Sequence, residues 1–172
     1  MTLIKSINKI SPQFGKKCWL AENATIVGDV TMGDECSVWY NAVIRGDVNK
    51  VVIGNRVNIQ DGAIIHNTYN KTECHIGDNS SIAHSAVVHG CTIEENVLIG
   101  IGAIILDNAY IEKNSIVAAG AVVMEGTRIE SGSIYGGCPA KCIKQLDQEQ
   151  FKEINERIAK NYPKYADWNK NC

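Results

Sequence analysis

Residues 97–102 read Val-Leu-Ile-Gly-Ile-Gly, residues 103–108 Ala-Ile-Ile-Leu-Asp-Asn, residues 109–114 Ala-Tyr-Ile-Glu-Lys-Asn and residues 115–120 Ser-Ile-Val-Ala-Ala-Gly. Each block opens on a small residue or valine, carries an aliphatic residue at its third place and ends in Gly or Asn. Alternate residues of a strand share a face, so the first and third places of each block point to the same side. Six residues therefore make a short strand with one small and one larger buried side chain, and then a corner supplied by Gly or Asn.

The register extends in both directions. Upstream it runs Ile26, Met32, Val38, Ile44, then Ile53, Ile59, Ile65, then Ile76, Ile82, Val88, then Ile93; downstream it continues through Val123 to Ile129. Nearly every step is six residues; the exceptions are nine after Ile44, eleven after Ile65 and five after Val88. The two long steps mark extra loops at corners. A period this regular is the mark of a stacked repeat architecture. It resembles the hexapeptide-repeat family, in which three hexapeptides make one triangular coil. The resemblance implies an all-β, left-handed parallel β-helix, with about six coils between Ala24 and Ile134. Cys36, Cys74 and Cys91 fall in the small-residue slots and are expected in the core.

After Pro139 the period stops. Phe151, Ile154, Ile158, Tyr162 and Tyr165 recur at three and four, which predicts an amphipathic helix from about Asp147 to Trp168, packed on the coils and broken or kinked at Pro163. Residues 1–172 are read as a single domain, a length that suits one core.

Composition narrows the function. The chain is 45% hydrophobic and 21% charged with a formal net charge of −2. No basic patch or stripe of the kind nucleic acid requires is visible. The richest apolar run, Leu98 to Leu106, is broken by two glycines and is far shorter than a membrane span. Met1 to Ile10 is polar, without the apolar core of a signal peptide. A soluble, cytoplasmic protein is expected, with neither nucleic acid nor membrane as partner. Its seven cysteines, odd in number and without a C-x-x-C pair, do not read as a disulfide framework.

Stacking brings the argument to chemistry. Three registers make one coil, so Ile44, Ile65 and Val88 lie above one another, and each is followed by a polar residue: Arg45, His66 and His89. These form a column on one outer face at the strand spacing of about 4.8 Å, from which two imidazoles can share one metal ion. Ile59 and Ile82 are likewise one coil apart; two residues beyond them, at a corner, stand Asp61 and His84. His84 faces elsewhere, so the simple solution is a cyclic oligomer in which His84 of one chain meets His66 and His89 of the next. A triangular prism closes naturally as a homotrimer with three interface sites. Three imidazoles and an open position are the arrangement of a catalytic zinc, although Fe²⁺ and Co²⁺ suit the same ligands.

The stretches Arg45-Gly46-Asp47, Asn58-Ile59-Gln60-Asp61, Asp61-Gly62-Ala63-Ile64-Ile65-His66 and Ile82-Ala83-His84-Ser85-Ala86-Val87-Val88-His89-Gly90 resemble those of the γ-class carbonic anhydrases. The resemblance covers nearly the whole chain. It implies a trimer with His66, His84 and His89 as metal ligands, Gln60 near the metal-bound water, Arg45 and Asp61 as an interface ion pair supported by Asp47, and Tyr162 as a further active-site hydroxyl. It implies reversible hydration of CO₂ to bicarbonate by a metal-bound hydroxide, formed because zinc lowers the pKa of its water to about 7. One departure stands out. The family's archaeal prototype carries an acidic loop for proton transfer, whereas here the loop Asn67 to Glu73 holds a single carboxylate, Glu73. Two other functions therefore stay open: coenzyme A-dependent acyl transfer or thioester hydrolysis, and a catalytically silent, metal-stabilised trimeric scaffold.

Overall fold

The computed structural model describes residues 1–147, 149, 158 and 161–169. Its strands stack in parallel on three faces of a prism. The first face is built from Leu3–Lys5, residues 25–28 and 43–46, Ile64–His66, Val87–His89, Ile104–Ile105 and Val122–Val123. The second runs from Gln13–Phe14 through residues 30–32 and 51–53 and Cys74–Ile76 to Thr92–Ile93, Tyr110–Ile111 and Arg128–Ile129. The third carries Trp19–Leu20, Ser37–Val38, Asn58–Ile59, Ser81–Ile82, Leu98–Ile99, Ile116–Val117 and Ser133–Gly136.

The inward positions are those of the hexapeptide register. Every third-place residue of the register from Ile26 to Ile129 is buried, and so is every small partner from Ala24 to Ala121, Cys36, Cys74 and Cys91 among them. Thr127, the last small position, is only half-buried. The corners show why Gly and Asn recur. The residue just before the small position takes a positive φ, as at Asn41, Gly62, Asn79, Asn96, Gly102, Asn108, Asn114 and Gly120. Only Gly enters that region freely, and Asn is the next most tolerant. Corner also stacks on corner: Gly62 donates its N–H to Tyr40, Ser85 to Asp61 and Gly102 to His84, each over 2.9 Å.

Six coils lie between Ala24 and Ile134, as expected, and the whole stack has about seven. The additional one comes from the N-terminal segment, where Ile4, Phe14 and Leu20 pair in register with Ile26, Met32 and Val38. It is the end of the prism, and among the described residues no further coil covers it. Its inward residues are therefore half-exposed, as at Ile4 and Phe14, and the six-residue spacing breaks between Ile4 and Phe14. At the other end, Lys141–Gln145 folds back antiparallel on Ser133–Gly136. Cys138 and Cys142 are exposed there.

Residues 161–169 are helical, and Pro163 lies within that run rather than ending it. The Tyr162 ring stands edge-on to Trp39 at 5.2 Å, and Tyr40 donates to Asn169 over 2.9 Å, so this helix lies on the third face. Much of the helix expected upstream, including Phe151 and Ile154, is outside the described residues. No described helix is long and apolar enough to cross a membrane.

Candidate metal centre

His66 and His89 are direct register partners on the first face. Each ends a short strand whose middle residue, Ile65 or Val88, is wholly buried, so both imidazoles are forced outward. Their ring centroids are 5.3 Å apart and tilted by 61°, which brings His66 Nδ1 to 3.3 Å from His89 Nε2. Two nitrogens on a tetrahedral metal at 2.0–2.1 Å per bond stand about 3.3–3.4 Å apart. The pair therefore fits two corners of such a site.

Both rings are gripped from their outer sides. His89 Nδ1 lies 2.6 Å from Asp107 Oδ1, and Thr68 Oγ1 donates to Asp107 Oδ2 over 2.5 Å. His66 Nε2 lies 2.9 Å from an Arg45 guanidinium nitrogen and 3.2 Å from Asp47 Oδ1. Arginine only donates and a carboxylate only accepts. A neutral His66 can thus satisfy this edge in either tautomer: it accepts from Arg45, or it donates to Asp47 and turns a lone pair on Nδ1 toward His89. Arg45 and Asp47 are themselves paired at 3.2 Å.

The electrostatics favour a neutral His66 beside ionised carboxylates. Burial, with the Arg45 guanidinium next, holds the His66 imidazole below its ordinary pKa and so neutral at pH 7. Burial works against ionisation of Asp107, yet hydrogen bonds from Thr68 and His89 outweigh it and hold its carboxyl below the usual range. Asp47 is held low in the same sense, against burial, by its main-chain hydrogen bond and by Arg45.

His84 is elsewhere. It sits on the corner that stacks above Asp61, with Nδ1 2.9 Å from Asp61 Oδ2, and both side chains are over 40% exposed. Among the described residues of one chain, no group of three potential ligands converges. The chain thus brings together His66, His89, Arg45 and Asp47, and separately His84 and Asp61. Within one chain Arg45 pairs with Asp47 and Asp61 with His84, so an Arg45–Asp61 contact calls for a neighbouring copy.

Gln60 is 4% exposed and donates from Nε2 to Asn58, which donates in turn to Ser81. These residues belong to the outward side of the third face. Tyr162 lies there too, its ring edge-on to Trp39 and its hydroxyl pushed up to about 12 by burial and then by the Asp61 charge. Glu73, the carboxylate of the long corner loop, is engaged with His75 on the second face at 3.1 Å. Asp107 had no place in the sequence reading. Register arithmetic points to it: Val88 stacks on Ile105, so Asp107 stands one coil beyond Gly90, beside His89.

A family model described as bacterial transferase hexapeptide (six repeats) matches residues 90–124. The chain is 53% identical to a probable carbonic anhydrase of Methanocaldococcus jannaschii, over 82% of this chain and 88% of that protein. It is 43% identical to the mitochondrial gamma carbonic anhydrase 2 of Arabidopsis thaliana over 94% of this chain, and spans 59% of the plant protein's length. A crystal structure from Bacillus cereus, described as a putative acetyltransferase, superposes with a TM-score of 0.94 at 35% identity and covers 99% of this chain and 98% of that one.

Proposed function

The chain belongs to the γ-carbonic anhydrase family of hexapeptide-repeat proteins, and from that premise we propose that it catalyses the reversible hydration of CO₂ to bicarbonate at a metal ion held between copies of itself. The observation that carries this reading is the His66–His89 pair, its ring nitrogens 3.3 Å apart and backed by carboxylates on both outer sides. His66 and His89 of one chain and His84 of the next would supply three neutral imidazoles to Zn²⁺, with Fe²⁺ and Co²⁺ as alternatives. The metal would lower the pKa of a water from about 15.7 to about 7 and so make a nucleophile at neutral pH.

The chain's own residues do the rest. Asp47 and Arg45 hold His66 from its outer edge, and Arg45 also reaches toward Asp61 of the neighbouring chain. Gln60, anchored through Asn58 on the face that carries His84, would orient a water at the site to which its chain supplies His84. Tyr162 lends the same pocket a protonated hydroxyl.

The outward side of the first face supports a trimer. Val43, Ile64, Val87 and Ile104 stand in register beside the histidines, and Ile64 is 42% exposed. A continuous apolar column on a soluble prism marks an interface, and a copy of the same chain satisfies it while supplying His84.

Stopped-flow CO₂ hydration tests the proposal on protein loaded with Zn²⁺ or, anaerobically, with Fe²⁺. Metal-dependent activity that disappears in His89→Ala is the expected result. Absence of activity in a fully metallated protein would overturn it. The likeness to a putative acetyltransferase favours acyl-CoA chemistry as the second reading, to be assayed next as thioester hydrolysis and acyl transfer. Acyl transfer by a histidine base needs that histidine free of metal. Full metal occupancy with neither activity would leave a scaffold.

A further inference from the structure

The eleven-residue step between Ile65 and Ile76 adds a loop whose one carboxylate, Glu73, is engaged on another face. Its contacts show a different task. Asn67 is 1% exposed and donates from Nδ2 to the carbonyls of Asn49 and Lys50. Asn49 donates back to the carbonyls of Thr68 and Thr72. Thr68 N–H donates to Thr72 Oγ1 over 3.0 Å, which closes the loop on itself. The two insertions that interrupt the hexapeptide period, after Ile44 and after Ile65, are thereby buckled to each other. The product of this arrangement is one placed hydroxyl: Thr68 Oγ1, donating to Asp107.

Space is kept for the Asp107 carboxylate as carefully. Gly90, next to His89, has φ +54°; a Cβ there would lie 2.3 Å from Asp107 Oδ1 and 2.2 Å from Thr72 Oγ1. Any side chain at that place displaces the oxygen that meets His89.

We propose that Asp107 is a positioning residue of the metal centre: held by Thr68 and given room by Gly90, it fixes His89 as the Nδ1–H tautomer and so presents Nε2 as a lone pair toward His66. This rests on the metal-site reading above. The chemistry is one-sided. A carboxylate only accepts, so the nitrogen facing it must carry the proton, and a neutral imidazole then has its lone pair on the other nitrogen. A carboxylate behind a ligating histidine also fixes ring orientation and raises ligand basicity, and losing it costs roughly 10–100-fold in metal affinity. The long loop is, on this view, a support for Asp107.

The test uses the full chain and two readouts. Competition with a chromogenic chelator measures Co²⁺ affinity, and the visible spectrum of bound Co²⁺ reports ligand geometry. In metal-free protein, ¹⁵N spectra of the imidazoles assign the His89 tautomer. Asp107→Ala is expected to weaken Co²⁺ binding roughly 10–100-fold and alter its spectrum, and to release the Nδ1–H tautomer of His89, with the metal-free unfolding midpoint little changed. Asp107→Asn, which keeps an acceptor, is expected to fall between native and Asp107→Ala. Thr68→Val keeps the shape of its residue and should lose affinity in the same direction by less; it decides the matter if Asp107→Ala does not fold. Affinity within about twofold of native in Asp107→Ala, or a native His89 protonated on Nε2, would overturn the proposal. A native chain that takes up no Co²⁺ but loses the His89 tautomer in Asp107→Ala would overturn the metal reading and leave the hold of Asp107 on His89 standing.

Discussion

Two inactive variants of this chain should rescue each other when mixed, and by a fixed amount. His66 and His89 stand together on one face, while His84 stands with Asp61 at a separate corner. If each site draws on two neighbours, His66→Ala removes a ligand from one side of the interface and His84→Ala from the other. Each pure trimer then has three broken sites. In a random equal mixture, a site is intact only when a His84→Ala chain supplies His66 and His89 and a His66→Ala chain supplies His84. That combination arises in about one quarter of interfaces, since in a closed ring each mixed trimer holds a single such junction. Metal content by elemental analysis after subunit exchange should therefore rise from near zero to about a quarter of native. Mixed trimers isolated through two affinity tags should reach about one third. CO₂ hydration should follow the same fractions if the activity is as proposed. A mixture that stays empty, with each parent folded and trimeric, would refute the partition of ligands between chains. So would either parent variant keeping its full metal.

Ile64→Glu places a charge in the apolar column beside the histidines; light scattering should then show monomers that no longer hold metal, and an intact trimer would show that this face is not the interface. Ile65→Ala removes a wholly buried side chain stacked between Ile44 and Val88. The ladders on either side hinder collapse, so urea unfolding should report a loss in the range of about 2–5 kcal/mol, and a loss under about 1 kcal/mol would mean that the coils relax into the gap. Acid should destabilise the chain through its corner carboxylates. Asp78 is held low chiefly by the main-chain N–H of Asn55, and Glu94 chiefly by the Tyr110 hydroxyl. Folded pKa values below the unfolded ones contribute stability above the ordinary carboxylate range of about 4, and that contribution is lost as pH falls through the folded values. Unfolding midpoints should hold from neutral pH to about 5 and drop below it, and a midpoint that rises on acidification would contradict this.

The parts legible in the sequence are those that a strict period controls. Once the six-residue step is seen, the inward set from Ala24 to Ile129 and the Arg45–His66–His89 column follow by arithmetic, because each coil repeats the last with its side chains on the same sides. Where the period fails, reading failed with it. The first coil lacks a neighbour on its open side, so Ile4 is 48% exposed and carries no burial signal. The corner loop after Ile65 shows its single carboxylate, Glu73, in the sequence, but not its structural task. Its amides and hydroxyls bind main-chain carbonyls and Asp107, contacts that depend on how two loops meet. Asp107 itself was within reach, since the step from Val88 to Ile105 stacks it on Gly90, but the hint lay in a residue with no side chain.

On the proposed reading, the geometry of the repeat explains why the metal site would draw on more than one chain. Coils stack at about 4.8 Å, so residues on adjacent coils can tilt their rings toward one point, and the His66 and His89 rings are tilted in this way with 5.3 Å between centroids. A third residue of the same column stands roughly 10 Å from the farther of the two. An ion bonded at 2.0–2.1 Å to two adjacent imidazoles is beyond easy reach of the next position in line. In this chain the next positions in the column are Arg45 on one side and Leu106 on the other, neither a ligand of the required kind. A third nitrogen has to approach from outside the column. His84 cannot supply it to its own column, because the corner that raises it from the third face points it away. A copy of the chain packed against the apolar strip of the first face would bring a His84 to that side. The same strip that needs covering and the same pair that needs a third ligand would thus be satisfied by one contact.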